Sequence, residues 1–298
     1  MKTLSFDYHM EITYSEPAAR CNYTLKCVPQ STDRQRVEKL SIKLLPENDG
    51  CQGTDSFGNR MLYGSIETSH NCFACHISGE VTTGFAVSEK AEAEEKLGKY
   101  RYPHGAAVAG EGLQTYYRQL LELGVFRDNA ADVEKSSAGQ EYDISVSLMH
   151  RLHQDFRYEK RVTNLKTTAE EAWQLGCGVC QDYAHIFIAL SRMYGIPARY
   201  VTGLMMGEGE SHAWVEILSD GQWYGLDPTN DLVVNEDYIR LGVGRDAADC
   251  TINKGIIVGG GYQAQKVAVT VRERVCGGMC NLHNDTLPIT CFAIAYKK

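Results

Sequence analysis

The stretch GCGVCQDYAHIFIALSRMYGIPARYV, residues 176–201, decides how the rest of the chain is read. Gly176 and Gly178 bound a tight turn, and Ala184, Phe187, Ile188 and Ser191 then recur at three- and four-residue spacing, which predicts a helix. Cys180 falls at the start of that helix. Free amides and a partial positive charge gather there and stabilise an anion, and a thiol becomes a nucleophile only as its thiolate.

Outward from this helix lie two short segments that read as strands. Ala213, Val215 and Ile217 alternate with Trp214, Glu216 and Leu218, and a second run, 222–226, follows the turn Ser219-Asp220-Gly221. In a hairpin, His212 at the start of the first strand and Asp227 at the end of the second share one edge. A cysteine facing a histidine that a carboxylate orients is the arrangement of thiol acyl transfer.

These residues also carry a resemblance. Gly-x-Gly-Val-Cys180-x-Asp, then His212-Ala-Trp, then Asp227-Pro-Thr, in that order over about fifty residues, resemble the transglutaminase-like superfamily within the papain-like thiol enzymes. The resemblance implies an α+β fold with Cys180 as nucleophile, His212 as general base and acid, and Asp227 as orienter of the imidazole. It further implies a thioester on Cys180. Resolution by water makes a cysteine peptidase or amidase, and resolution by an amine makes a protein-glutamine transamidase. Bacterial relatives, together with the absence of a calcium-loop spelling, favour hydrolysis of an amide or peptide bond. No cofactor or metal is expected, and the partner is a peptide or protein carrying an amide.

Other residues near the site have two readings each. Gln174, six residues before Cys180, is a candidate side-chain donor to the oxyanion or a helix-surface glutamine, whereas the Cys180 backbone amide is a donor fixed at the helix start. Trp214 and Trp223 are walls of an acyl cleft or plain core. Cys177 and Cys180 spell a redox dithiol, although no βαβ pattern precedes them, and Cys177 reads more simply as packing. Asp182, in the first helical turn, complements the helix dipole. A non-catalytic binding module on the same fold is the competing class.

The 298 residues are long for one core and suggest two units, and the patterns along the chain divide it into a β domain over 1–100, the core over 101–245, and strands over 246–298 that complete the core or pack on the first domain. Alternating runs at 4–14, 22–28, 35–45, 61–68 and 72–83 read as a β-sandwich. This part resembles the N-terminal domain of bacterial superfamily members, notably at Asp55-Ser56-Phe57-Gly58-Asn59. Helices are predicted over 112–124 and 141–156, and Thr168-Ala169-Glu170-Glu171 has the capping-box spelling. Strands are expected at 265–272 and 289–296.

With 43% hydrophobic and 23% charged residues and a net charge of −8, nothing in the composition suits nucleic acid. No run approaches the roughly 20 apolar residues of a membrane helix. Eleven cysteines cannot all pair within one chain, so a reducing, cytoplasmic setting is expected. Cys72-Phe73-Ala74-Cys75-His76 matches the spelling of a haem attachment site, and Cys72 and Cys75 with Cys276 and Cys280 have the chemistry of a zinc site. Buried thiols in a strand are the simpler reading.

Overall fold

A computed structural model describes residues 1–126, 138–274 and 294–295. The first strand, β1 (Lys2–Leu25), organises the N-terminal half. Its alternate residues from Leu4 through Tyr14 are buried, as the period-two pattern requires. Four strands follow: β2 (Gln35–Leu45), β3 (Cys51–Thr54), β4 (Arg60–Ile66) and β5 (His70–Thr83). Strand β5 pairs with β2 and with the first part of β1, whereas β4 pairs with β3 and with residues 21–25 of β1. The register shifts around Pro17, where β1 bends. A strand that changes layer at an irregularity makes a corner, and here Tyr23 comes to 5.1 Å from Phe73. The two layers of the expected sandwich are therefore parts of one nine-stranded antiparallel sheet.

Residues 88–101 depart from the sequence-based division. Strand β6 (Ser88–Lys90) pairs with a strand of the second sheet, and helix α1 (Glu94–Arg101), which no periodicity announced, buries Leu97 and Tyr100 against Trp223 and Leu218 of that sheet. Helices α2 (Glu111–Glu122) and α3 (Gln140–Asp155) bury Leu113 and Leu120, and Ile144, Leu148 and Leu152, on the stripes that the spacing predicted. The short strand β7 (Arg157–Tyr158) then leads to α4 (Ala169–Leu175), where Thr168 and Glu171 form the reciprocal capping box.

Strand β8 (Cys177–Gly178) joins α4 to α5 (Cys180–Tyr194), in which every residue from Gln181 to Arg192 is buried. Such a helix is the centre of a core rather than its cover. It packs on an antiparallel sheet formed by β9 (Ala198–Met205), β11 (His212–Ser219), β12 (Gln222–Asp227), β13 (Leu232–Val233) and β14 (Tyr238–Gly244). Between β9 and β11, β10 (Gly207–Gly209) crosses to the first sheet.

The second sheet also meets the first, with Leu204, Ile239 and Leu241 in one core with Leu4, Met10 and Phe73. Asn59 fastens the two, its side chain donating to Val243 O at 2.7 Å and accepting from Val243 N at 2.7 Å. The chain returns to the first sheet through β15 (Asn253–Gly259) and β16 (Gln263–Glu273), which hydrogen-bond to β1, and β17 (Ile294–Ala295) pairs with β16. Apart from residues 294–295, the last predicted strand lies outside the described residues. No helix among the described residues is long and apolar enough to cross a membrane.

Candidate active site

The turn before Cys180 depends on its two glycines for different reasons. Gly176 ends α4 at φ 69°, in the left-handed region. At Gly178 the limit is space, since a Cβ would come within 2.4 Å of Asp182 Oδ2. That oxygen accepts hydrogen bonds from Val179 N at 2.7 Å and from Thr163 Oγ1 at 2.6 Å, so the fully buried Asp182 shapes the entry to α5. Burial is the largest influence on its carboxyl and raises its pKa. Tyr183 donates to Phe156 O, tying α5 to the end of α3. Cys180 is the first helical residue, partly exposed, and its amide has no intrahelical acceptor available.

His212 and Asp227 sit at the edge where the hairpin reading put them. The two-residue turn has φ 46° at Asp220 and 71° at Gly221, the conformation that matches strand twist. Register pairs Val215 with Leu226, so Asp227 and His212 are same-face diagonal neighbours. His212 Nε2 lies 2.7 Å from Asp227 Oδ2. Nδ1 is the nitrogen that Asp227 leaves free, and Cys180 lies close enough to help raise the pKa of the ring. Burial works against the charged imidazole, but the bonds to Asp227 and then to Cys180 outweigh it and hold the His212 pKa at about 10, against its usual 6.5.

Asp227 is fully buried and surrounded by donors. Besides His212, Asn230 Nδ2 donates to Oδ2 at 2.7 Å and Tyr238 Oη at 2.9 Å, while the amides of Thr229 and Asn230 donate to Oδ1 at 3.0 and 3.3 Å. Burial opposes its ionisation, yet these bonds, led by that to His212, keep its pKa below the usual range. Tyr238 and Asn230 are site residues that the sequence reading missed. Asn230 directly follows the Asp227-Pro-Thr motif and so had a local signal, whereas Tyr238 reaches Asp227 only because β14 packs beside β9.

For three other residues the structure favours one of the two readings. The Gln174 side chain is exposed and donates to Glu170 Oε1 at 3.0 Å, so it is not directed to Cys180. Glu170 in turn accepts from the amides of Gly110, Gly112 and Leu113, and the glutamine completes this cap of α2. Trp223 is core: it is 1% exposed, edge-on to Tyr100, with the Arg199 guanidinium 4.3 Å above its ring. Trp214 is equally buried and lies beneath the site, its ring 6.3 Å from that of His212 and 5.3 Å from that of Tyr238, so neither tryptophan is open to solvent.

Of the remaining cysteines, Cys177 is buried and donates to Leu175 O at 3.7 Å. Cys72 and Cys75 are three apart on β5 and point to opposite faces, with Cys75 fully buried, which does not suit a haem attachment. Among the described residues all eight cysteines are free and no group of three or more His, Cys, Asp or Glu could hold a metal. Cys276 and Cys280 lie outside those residues.

Residues 130–228 match the transglutaminase-like superfamily core, and residues 4–82 match the bacterial transglutaminase-like N-terminal region. An uncharacterised protein of Mycobacterium leprae is 28% identical over 270 residues, covering 87% of this chain and 94% of that one. An uncharacterised Mycobacterium bovis protein is 38% identical over 131 residues, 39% of this chain and 42% of its own. Among solved structures, a Cytophaga hutchinsonii protein provisionally named a cysteine protease superposes with a TM-score of 0.70 over 95% of each chain, at 19% identity, a likeness of fold. The chain is a member of the transglutaminase-like superfamily, built from that superfamily's core and its bacterial N-terminal region.

Proposed function

We propose that this protein is a thiol-dependent acyl-transfer enzyme that hydrolyses amide or peptide bonds through a thioester on Cys180. The observation that carries this reading is the 2.7 Å contact of His212 Nε2 with the buried Asp227, with Cys180 at the helix start close enough to help raise the pKa of the same ring. An imidazolium favours the neighbouring thiolate. The thiolate adds to the amide carbonyl, and the oxyanion takes the free first amide of α5, Cys180 N. His212 gives its Nδ1 proton to the leaving amine, the C–N bond breaks, and the acyl group stays on sulfur. Water then loses a proton to His212 and adds to the thioester. Collapse expels the thiolate and releases the acid, which restores the starting charges.

The provisional name of the Cytophaga hutchinsonii protein is in keeping with hydrolysis. The test is intact mass spectrometry after incubation with peptidyl and glutamine-containing esters and amides. The expected result is an acyl adduct mapped to Cys180, absent from Cys180→Ala and kept in Cys177→Ala. Product that incorporates an added amine in preference to water would assign transamidation instead. No adduct with any acyl donor, together with no selective alkylation of Cys180, would leave the chain a binding module.

A further inference from the structure

A cavity of about 270 Å³ lies between the two sheets, behind the candidate site. Its mouth includes Val87 and Val233, which are exposed, and its wall includes Arg34, Trp214, Tyr238 and Arg240. Two of these residues bear on the site, since Tyr238 donates to Asp227 and Trp214 underlies His212.

The polar groups around the cavity are unevenly matched. Glu216, 1% exposed, is bound by Arg199 Nε at 2.7 Å, and Arg240 is bound to Glu89 through both terminal nitrogens. Among the described residues, the Arg34 side chain has only Val234 O at 3.1 Å and, at 3.6 Å, a looser approach to Glu216. Three guanidiniums thus share two carboxylates, and the one left short lines the cavity. Burial lowers the Arg34 pKa, the sign of a cation incompletely compensated. The Trp214 indole N–H, also buried, has no acceptor among the described residues. Buried donors without acceptors are costly, and a charged acceptor satisfies them best.

We propose that this cavity is a binding site for a monocarboxylate with a short apolar tail. The carboxylate would be held by Arg34, and the tail would lie along Ala86, Val87, Val233 and Val234. A single negative charge pairs with Arg34, whose approach to a carboxylate, that of Glu216, is at 3.6 Å. A dianion would add repulsion from Glu216 and from Glu236, which also lines the cavity. The carboxylate could belong to a free acid or to the C-terminus of a peptide, and both present the same group.

Titration calorimetry on the whole chain tests this with 4-methylpentanoate, its primary amide and N-acetyl-alanyl-leucine. Saturable binding of at least one acid is expected, with 4-methylpentanamide at least tenfold weaker than 4-methylpentanoate. Tighter binding of the free acid or of the peptide acid identifies the source. Arg34→Gln should weaken the acid at least tenfold, and Ala86→Phe, which fills the cavity without disturbing a charge, should abolish binding even if the first variant folds poorly. Equal binding of acid and amide, no saturable binding of either acid, or binding by Ala86→Phe equal to that of the parent would overturn the assignment. None of these outcomes depends on chemistry at Cys180.

Discussion

Replacing Asp227 with asparagine should convert a protonated imidazole into an ordinary one. The rise of the His212 pKa from 6.5 to about 10 corresponds to roughly 5 kcal/mol of added preference for the charged ring, and Asp227 is the largest favourable contributor. Asparagine fits the space but not the donors. With its oxygen toward His212, its NH2 group faces the amides of Thr229 and Asn230, and the flipped amide faces the imidazole and Asn230 Nδ2 instead. Breaking a buried ion pair costs about 3–5 kcal/mol, so the melting temperature should fall by on the order of 10 °C.

The sign of the pH dependence follows from the two shifts. His212, with its pKa raised on folding, contributes stability that is full below pH 6.5 and is lost as pH rises through about 10. Asp227, with its pKa lowered, contributes above 3.8 and loses that contribution as pH falls. Parent and variant should therefore differ most between pH 3.8 and 6.5 and converge toward pH 10. Titration of 15N-labelled histidine followed by NMR provides the direct assay. In the parent, His212 should stay protonated through pH 9, and in Asp227→Asn its midpoint should fall by two pH units or more, on the order of half the interaction estimated above. A parent midpoint near neutrality, or one that the substitution leaves in place, would refute the reasoning.

Three further outcomes follow from the same contacts. Tyr238→Phe removes one of the donors to Asp227 Oδ2; a hydrogen bond to a charged group is worth about 1.5–3 kcal/mol, and with Asn230 retained kcat should fall roughly tenfold at little change in KM, measured on any acyl donor that labels Cys180. Gly178→Ala drives a Cβ to 2.4 Å from Asp182 Oδ2, so it should cost about 1–3 kcal/mol in denaturant unfolding and slow Cys180 acylation, whereas Gly176→Ala, which meets no atom within 4 Å, should show only the smaller backbone penalty. Gln174→Ala should leave acylation within about twofold of the parent, because its amide serves the α2 cap and losses of about a hundredfold or more belong to oxyanion donors; a hundredfold loss would restore it to the oxyanion site.

What the sequence determined was whatever local spacing controls. The two glycines, the helical stripe after Cys180, the Asp-Gly turn and the three motifs in order carried the helix start, the hairpin and the edge on which His212 and Asp227 meet, because period, turn type and register are set within a few residues. The capping box at Thr168 was legible for the same reason. Tertiary structure alone decided the rest. Trp223 is core because α1 and Arg199 close over it, and Gln174 turns from the site because Glu170 holds the start of α2. Tyr238 reaches Asp227 through the packing of β14, and Arg34 meets Val234, 200 positions away, only where the two sheets come together. Such contacts depend on which surfaces are buried against one another, and no pattern of neighbouring residues records that choice.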